Sequence, residues 1–184
     1  VRRRAVAKEM YDACDQAGNP LGYALVRGDP IPEGVWHLVV EVFSVTAGGR
    51  VLVTRRHPDK SWGGYWEYTG GSVLAGERPR EAARRELLEE TGIAVSEEAL
   101  HPVYVESRRS IEGYPCIYHS FFQVFDPAEQ AVRLQEGETV DFRLLPYGDF
   151  LDFIRTKEFV EPIRRRFLDH QGAFDRLMEA YVKR

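Results

Sequence analysis

The stretch Gly71–Ile93, GSVLAGERPREAARRELLEETGI, decides how this 184-residue chain is read. Pro79 at a first helical turn and Gly92 just past the last polar position punctuate a helix from Pro79 to Thr91. Arg78 makes a weak N-cap, because its side chain accepts no hydrogen bond. Successive helical residues advance by about 100°, so Glu86, Glu89 and Glu90 share an arc of roughly 100°. Leu87 and Leu88 lie off that arc and are expected to anchor the helix to a core. Ion pairs with Arg78, Arg80, Arg84 and Arg85 could make the three carboxylates ordinary surface decoration. Crowded carboxylates, however, raise one another's pKa unless a cation neutralises them. A hard cation with oxygen ligands, Mg²⁺ or Mn²⁺, is the natural partner, and Mg²⁺ commonly shares carboxylates with substrate phosphates.

The spacing resembles the signature of the Nudix family: Gly, five residues, Glu, seven residues, Arg-Glu, an aliphatic, any residue, Glu-Glu, any residue, Gly, an aliphatic. Gly71, Glu77, Arg85, Glu86, Leu87, Glu89, Glu90, Gly92 and Ile93 fill every defined place. A chance match of the fixed positions is on the order of 10⁻⁹ per starting position. The resemblance implies an α/β/α sandwich with a mixed sheet and a loop–helix–loop, and a pyrophosphate-cleaving hydrolase. It implies that Glu86, Glu89 and Glu90 bind metal, helped by a backbone carbonyl at Gly70 or Gly71. Glu86 or Glu89 would act as the base, and Arg85 would orient Glu77 or Glu89 rather than touch substrate. A further acid from a late loop is expected to complete the site. Glu138 is chosen over Glu136, because it adjoins the strand expected from Thr139.

A weaker likeness extends outside the box. Asp15, Gly18, Gly22, His37, Arg55, Arg56, Lys60 and Trp66, with Glu136-Gly137-Glu138, resemble the layout of the isopentenyl-diphosphate isomerase branch. That branch needs a Cys closely followed by a His before its box, where this chain reads Thr69-Gly70-Gly71-Ser72. The reading is therefore of a hydrolase without isomerase machinery. A prenyl-diphosphate isomerase and a non-hydrolysing nucleotide sensor are the alternatives. Arg55, Arg56 and Lys60 are candidate phosphate ligands or cover for a sheet edge. Trp66, with Trp62, Tyr65 and Tyr68, is a candidate base-stacking surface or loop packing. His37 reads as a half-buried strand histidine held by hydrogen bonds. The substrate stays open among nucleotides, sugar nucleotides and small diphosphates.

The rest of the chain sets bounds. A net charge of −4 offers no footprint for bulk nucleic acid, and Arg2-Arg3-Arg4 and Arg164-Arg165-Arg166 read as solvated faces. No apolar run reaches the roughly 20 residues that cross a bilayer. Cys14 and Cys116 are far apart and form no framework, so a cytoplasmic location is expected. One domain is expected over 1–184, with a flexible start at 1–9 and C-terminal helices over 147–184. Strands are expected near 35–45, 51–56, 101–109, 115–125 and 139–145. Val160, Ile163, Phe167, Phe174, Leu177 and Tyr181 form a helical stripe, read as core rather than a homodimer seam, with Gly172 interrupting it.

Overall fold

A computed structural model describes residues 8–110 and 113–182; Arg2-Arg3-Arg4 lies outside them. A two-stranded antiparallel ribbon, β1 (Met10–Cys14) and β2 (Pro20–Val26), precedes the main sheet. The sheet is built from β3 (His37–Thr46), β4 (Arg50–Arg56), β5 (Trp66–Glu67), β6 (Gly70–Ser72), β7 (His101–Arg109), β8 (Pro115–Phe125) and β9 (Thr139–Pro146). Helix α1 spans Pro79–Thr91, and α2 (Tyr147–Phe153), α3 (Glu161–Asp169) and α4 (Gln171–Tyr181) close the chain.

The strands run in the order β5-β4-β3-β8-β7, with β6 on β3 and β9 on β4. β3 and β8 are parallel from His37 opposite Cys116 to Thr46 opposite Phe125, while the other pairs are antiparallel, so the sheet is mixed. Alternation along β3 makes the three layers. Val40 and Val42 pack with Ala82, Ala83 and Leu87 of α1. Phe43 and Val45 face the other way, onto Phe150, Phe167 and Phe174 of the late helices. Each such Val, Leu or Phe side chain contributes about 1.5–3 kcal/mol by leaving water.

Several expectations are corrected here. Leu88 is 52% exposed and anchors nothing, because the step of about 100° from buried Leu87 carries it off the core face. Arg166 is buried, not solvated, whereas Arg165 is exposed. The C-terminal stripe is core at Phe167 and Phe174, but Tyr181 is exposed and stacks on His101. The helical break falls at His170, whose φ of −112° departs from the helix, and Gly172 lies inside α4. The start at 1–9 lies outside the described residues up to residue 7; Lys8 and Glu9, within them, pair with Asp29 and Arg27 at 3.3 and 2.6 Å.

The topology also makes a hollow. β3 and β4 meet only at Val45 opposite Val51, then diverge. β6 takes the freed edge of β3, with Val40 opposite Gly71, and β5 takes that of β4. A cavity of about 510 Å³ opens in this fork, bounded by both short strands and by α1.

Candidate active site

α1 delivers the carboxylates. Its start is held by Glu81, whose carboxylate accepts the Arg78 N–H at 2.8 Å and supplies the cap that Arg78 itself lacks. Its end is closed by Gly92 at φ 72°, whose N–H reaches the Leu88 carbonyl at 2.9 Å. Between these ends the acidic arc is graded in depth. Glu90 is buried, Glu86 half-buried and Glu89 exposed, and all three line the cavity.

Arg85 organises the loop before the helix. It donates to Glu77 at 2.7 and 2.9 Å, to the Ser72 carbonyl at 3.0 Å, to Glu86 at 2.7 Å and to Glu89 at 3.3 Å. Glu77 in turn accepts the Leu74 N–H at 3.0 Å. The guanidinium holds the Glu77 carboxyl below the usual range. Arg85 is thus a positioning residue. Gly71 is equally constrained, since a β-carbon there would lie 2.2 Å from a Glu86 carboxylate oxygen.

Burial pushes Glu86 upward against the pull of Arg85. It pushes Glu90 well up, reinforced by Glu67 and Glu86. Glu67, on β5, is a cavity residue that the sequence reading missed. It is 6% exposed and takes two hydrogen bonds from Arg56 Nη1, at 2.7 and 2.8 Å. Its one signal in the sequence is its place in the Trp-Glu-Tyr-Thr-Gly-Gly run, four residues before Gly71. Lys60 contacts Glu138, and burial lowers its pKa. The Glu138 carbonyl accepts the His57 N–H at 2.8 Å, which ties this late loop to the Lys60 loop.

The remaining candidates divide. Arg56, Lys60 and Glu138 line the cavity, as do Gly70 and Gly71. Glu136 is exposed outside it. Arg55 points to the loop, its Nε donating to the Gly64 carbonyl at 2.9 Å, and lies outside the cavity. Trp66 is 2% exposed, packed edge-on to Phe153 and covered by Arg143 at 4.3 Å. It is core, not a stacking surface, because its strand register turns it toward the late helices. His37 is more deeply buried than expected. It stacks on Tyr11 and stands 3.7 Å from Cys116 Sγ, away from the carboxylates.

Whether these residues suit a divalent cation can be tested on their own geometry. Among the described residues no three His, Cys, Asp or Glu side chains already stand closed around one point. Glu86 is turned to Arg85 and Glu138 to Lys60. Yet Glu90 Oε2 is buried with no hydrogen-bond partner. Such an oxygen is costly unless a cation or proton meets it. The donor set is all oxygen, so it fits a hard cation.

A fork in a mixed sheet, with a helix presenting carboxylates to a glycine turn, defines a class as well as a site. The NUDIX domain model matches residues 35–171, and the chain belongs to that family, the Nudix hydrolases. It is 29% identical over 158 residues to an uncharacterized Nudix hydrolase of Listeria monocytogenes, covering 85% of each chain. The DR0079 structure from Deinococcus radiodurans superposes with a TM-score of 0.67 at 24% identity, over 85% of this chain and 98% of that one. A bifunctional NMN adenylyltransferase/ADP ribose pyrophosphatase from Francisella tularensis, complexed with AMP and a Mn ion, gives a TM-score of 0.59 at 23% identity. That match covers 78% of this chain and 41% of the other.

Proposed function

We propose that this chain is a divalent-cation-dependent pyrophosphohydrolase acting on a nucleoside diphosphate derivative, with Mg²⁺ or Mn²⁺ as cofactor. The observation that carries the reading is Glu90, a buried carboxylate with an unpartnered oxygen in the same cavity as Glu86 and Glu138. AMP and Mn in the Francisella structure agree with this choice of ligand and ion. Glu86, Glu89 and Glu90 would hold the cation, with the Gly71 carbonyl and Glu138 beside them. When bound, the cation neutralises phosphate oxygens and acidifies water.

The chain's own groups do the rest. Arg56 and Lys60 face the cavity as donors for phosphate oxygens, Arg56 braced by Glu67 and by the Ser61 carbonyl at 2.7 Å. Glu86 or Glu89 takes the proton from the attacking water. Arg85 keeps Glu86 aimed at the glycine turn and is not itself placed on substrate. Val39 and Val40 line one side of the fork.

The test is a panel of nucleoside diphosphate derivatives and small diphosphates with and without Mg²⁺, read as phosphate after phosphatase coupling. Cation-dependent release on a nucleoside-containing member, lost by orders of magnitude in Glu86→Gln, is expected. A second readout needs no turnover. Mg²⁺ at a hundredfold excess over its Kd should stabilise the parent by about 2.7 kcal/mol. Glu90→Gln should remove that gain. No release from any member, together with no stabilisation by Mg²⁺ or Mn²⁺, would end the proposal.

A further inference from the structure

The proposed reaction seats a diphosphate at the carboxylates and leaves the organic half of the substrate unplaced. A second cavity, of about 440 Å³, adjoins the first, with Arg27, Val39, Ser72 and Tyr118 lining both. Its lining is of another kind. Tyr11 and His37 are stacked, their ring centroids 5.1 Å apart and their planes 19° from parallel. Leu25 and Ile31 add apolar wall, and Tyr114, 39% exposed, stands at its margin.

We propose that this second cavity seats the planar ring of the substrate, a nucleobase, with the Tyr11–His37 stack as its inner wall and Tyr114 as its outer one. The inference rests on the pyrophosphohydrolase reading, and it names the place and the chemistry of the group that the diphosphate carries. A nucleotide divides into an anionic half and a flat aromatic half; the first cavity holds the acidic arc of α1, and the second adds the Tyr11–His37 stack and Tyr114. The volume is within the few hundred Å³ typical of small-molecule sites. Parallel rings extend readily by another ring, and aromatic contacts favour offset stacking. The lining also carries Arg27, Asp29, Ser72 and Ser110, polar groups of the kind that a base meets along its ring edge. Burial lowers the His37 pKa, and the ring is fixed by a hydrogen bond to the Pro115 backbone with Cys116 Sγ 3.7 Å from Nε2. The two halves also meet at a defined joint: the Tyr11 phenol interacts with Ser72, the residue after Gly71.

The site can be read without catalysis. Isotope-labelled protein in EDTA is titrated with adenosine and cytidine, and separately with ribose and isopentenol, while the His37 and Tyr11 ring resonances are followed by NMR. Saturable shifts with a nucleoside, and none with ribose or isopentenol, are expected. Tyr114→Ala should weaken nucleoside binding about five- to tenfold, and Tyr114→Phe should bind like the parent. Rings unmoved by either nucleoside at millimolar concentration, or moved by isopentenol alone, would overturn the proposal, and neither result depends on the variants folding. The probes lack phosphate and metal, so the two ideas fail separately. Hydrolysis of the panel with silent His37 and Tyr11 removes the seat and leaves the activity. Nucleoside binding at His37 with no cation-dependent hydrolysis does the reverse.

Discussion

The Glu86 carboxylate lies against the α-carbon of Gly71, in the space where any other residue would carry a β-carbon. The added atom would fall 2.2 Å from Oε1 and 2.6 Å from Oε2. Gly71 pairs with Val40 in the sheet, so it cannot retreat without breaking that register. Gly71→Ala must therefore displace Glu86 and loosen its bond to Arg85. Turnover should fall about 100-fold, as for a catalytic group moved by an ångström, and half-saturation should need more cation. Gly148→Ala is the control. Nothing lies within 4 Å of a β-carbon at Gly148. That helical position should gain up to about 1 kcal/mol of stability, with activity unchanged. Equal kinetics in the two variants would refute the argument.

Glu138 and Glu136 separate by position alone. Glu138 lines the cavity and meets Lys60, while Glu136 is exposed outside it. Glu138→Gln should lower turnover at least about tenfold and shift the Mg²⁺ dependence, and Glu136→Gln should match the parent. Steady-state kinetics across a Mg²⁺ series decides between them. The opposite ranking would move the closing acid elsewhere on the loop.

What the sequence disclosed and withheld follows from range. The α1 signals are local: Pro79 and Gly92 mark its ends and a fixed step groups Glu86, Glu89 and Glu90, so helix and arc are legible together. The strands at 101–109 and 115–125 are equally local, as alternating or β-branched runs. Depth along the arc is not local. Glu90 is buried and Glu89 exposed because the late loop covers one flank of α1, where the Arg133 and Gln135 N–H groups reach the Thr91 and Glu90 carbonyls, and no spacing rule encodes that cover. Trp66 misled for the same reason, since an aromatic beside a glycine turn looks alike whether it faces substrate or core. Arg166 misled most. It sits in a basic triplet, and its partner Glu41 is 125 residues away.

Burial lowers the pKa of both His37 and His119. The sign follows directly. Above about pH 6.5 both are neutral in the folded and unfolded chain and contribute no slope. As pH falls, the unfolded chain takes up protons first, so stability is lost from about pH 6.5 toward the lowered folded values. Urea unfolding between pH 7 and 5 should show that decline. His37→Gln should flatten part of it, and the double variant with His119→Gln should flatten more. Only the slope is read, so a lower absolute stability in either variant does not confuse the outcome. An unchanged slope in both would show that neither imidazole is held neutral.

Glu41 and Arg166 join β3 to α3 and both line the cavity. Their side chains are each 4% exposed. Arg166 donates to both Glu41 oxygens through Nε, at 3.1 and 3.3 Å, and again through Nη2. The Tyr104 hydroxyl adds a hydrogen bond to Glu41 at 2.6 Å, and the guanidinium lies 3.8 Å over the Tyr118 ring. Both charges have left water, so removing one partner strands the other. Glu41→Leu and Arg166→Met should each cost about 3–5 kcal/mol. For a domain of this size that lowers Tm by about 6–20 °C. The double variant Glu41→Leu/Arg166→Met should lose clearly less than the sum of the single losses, because neither charge is left alone. Denaturant unfolding of the four proteins gives the coupling directly. Additive losses, or single losses near zero, would mean that cavity water and not the partner satisfies each charge, and that α3 is held to the sheet by Phe167 and its aromatic neighbours instead.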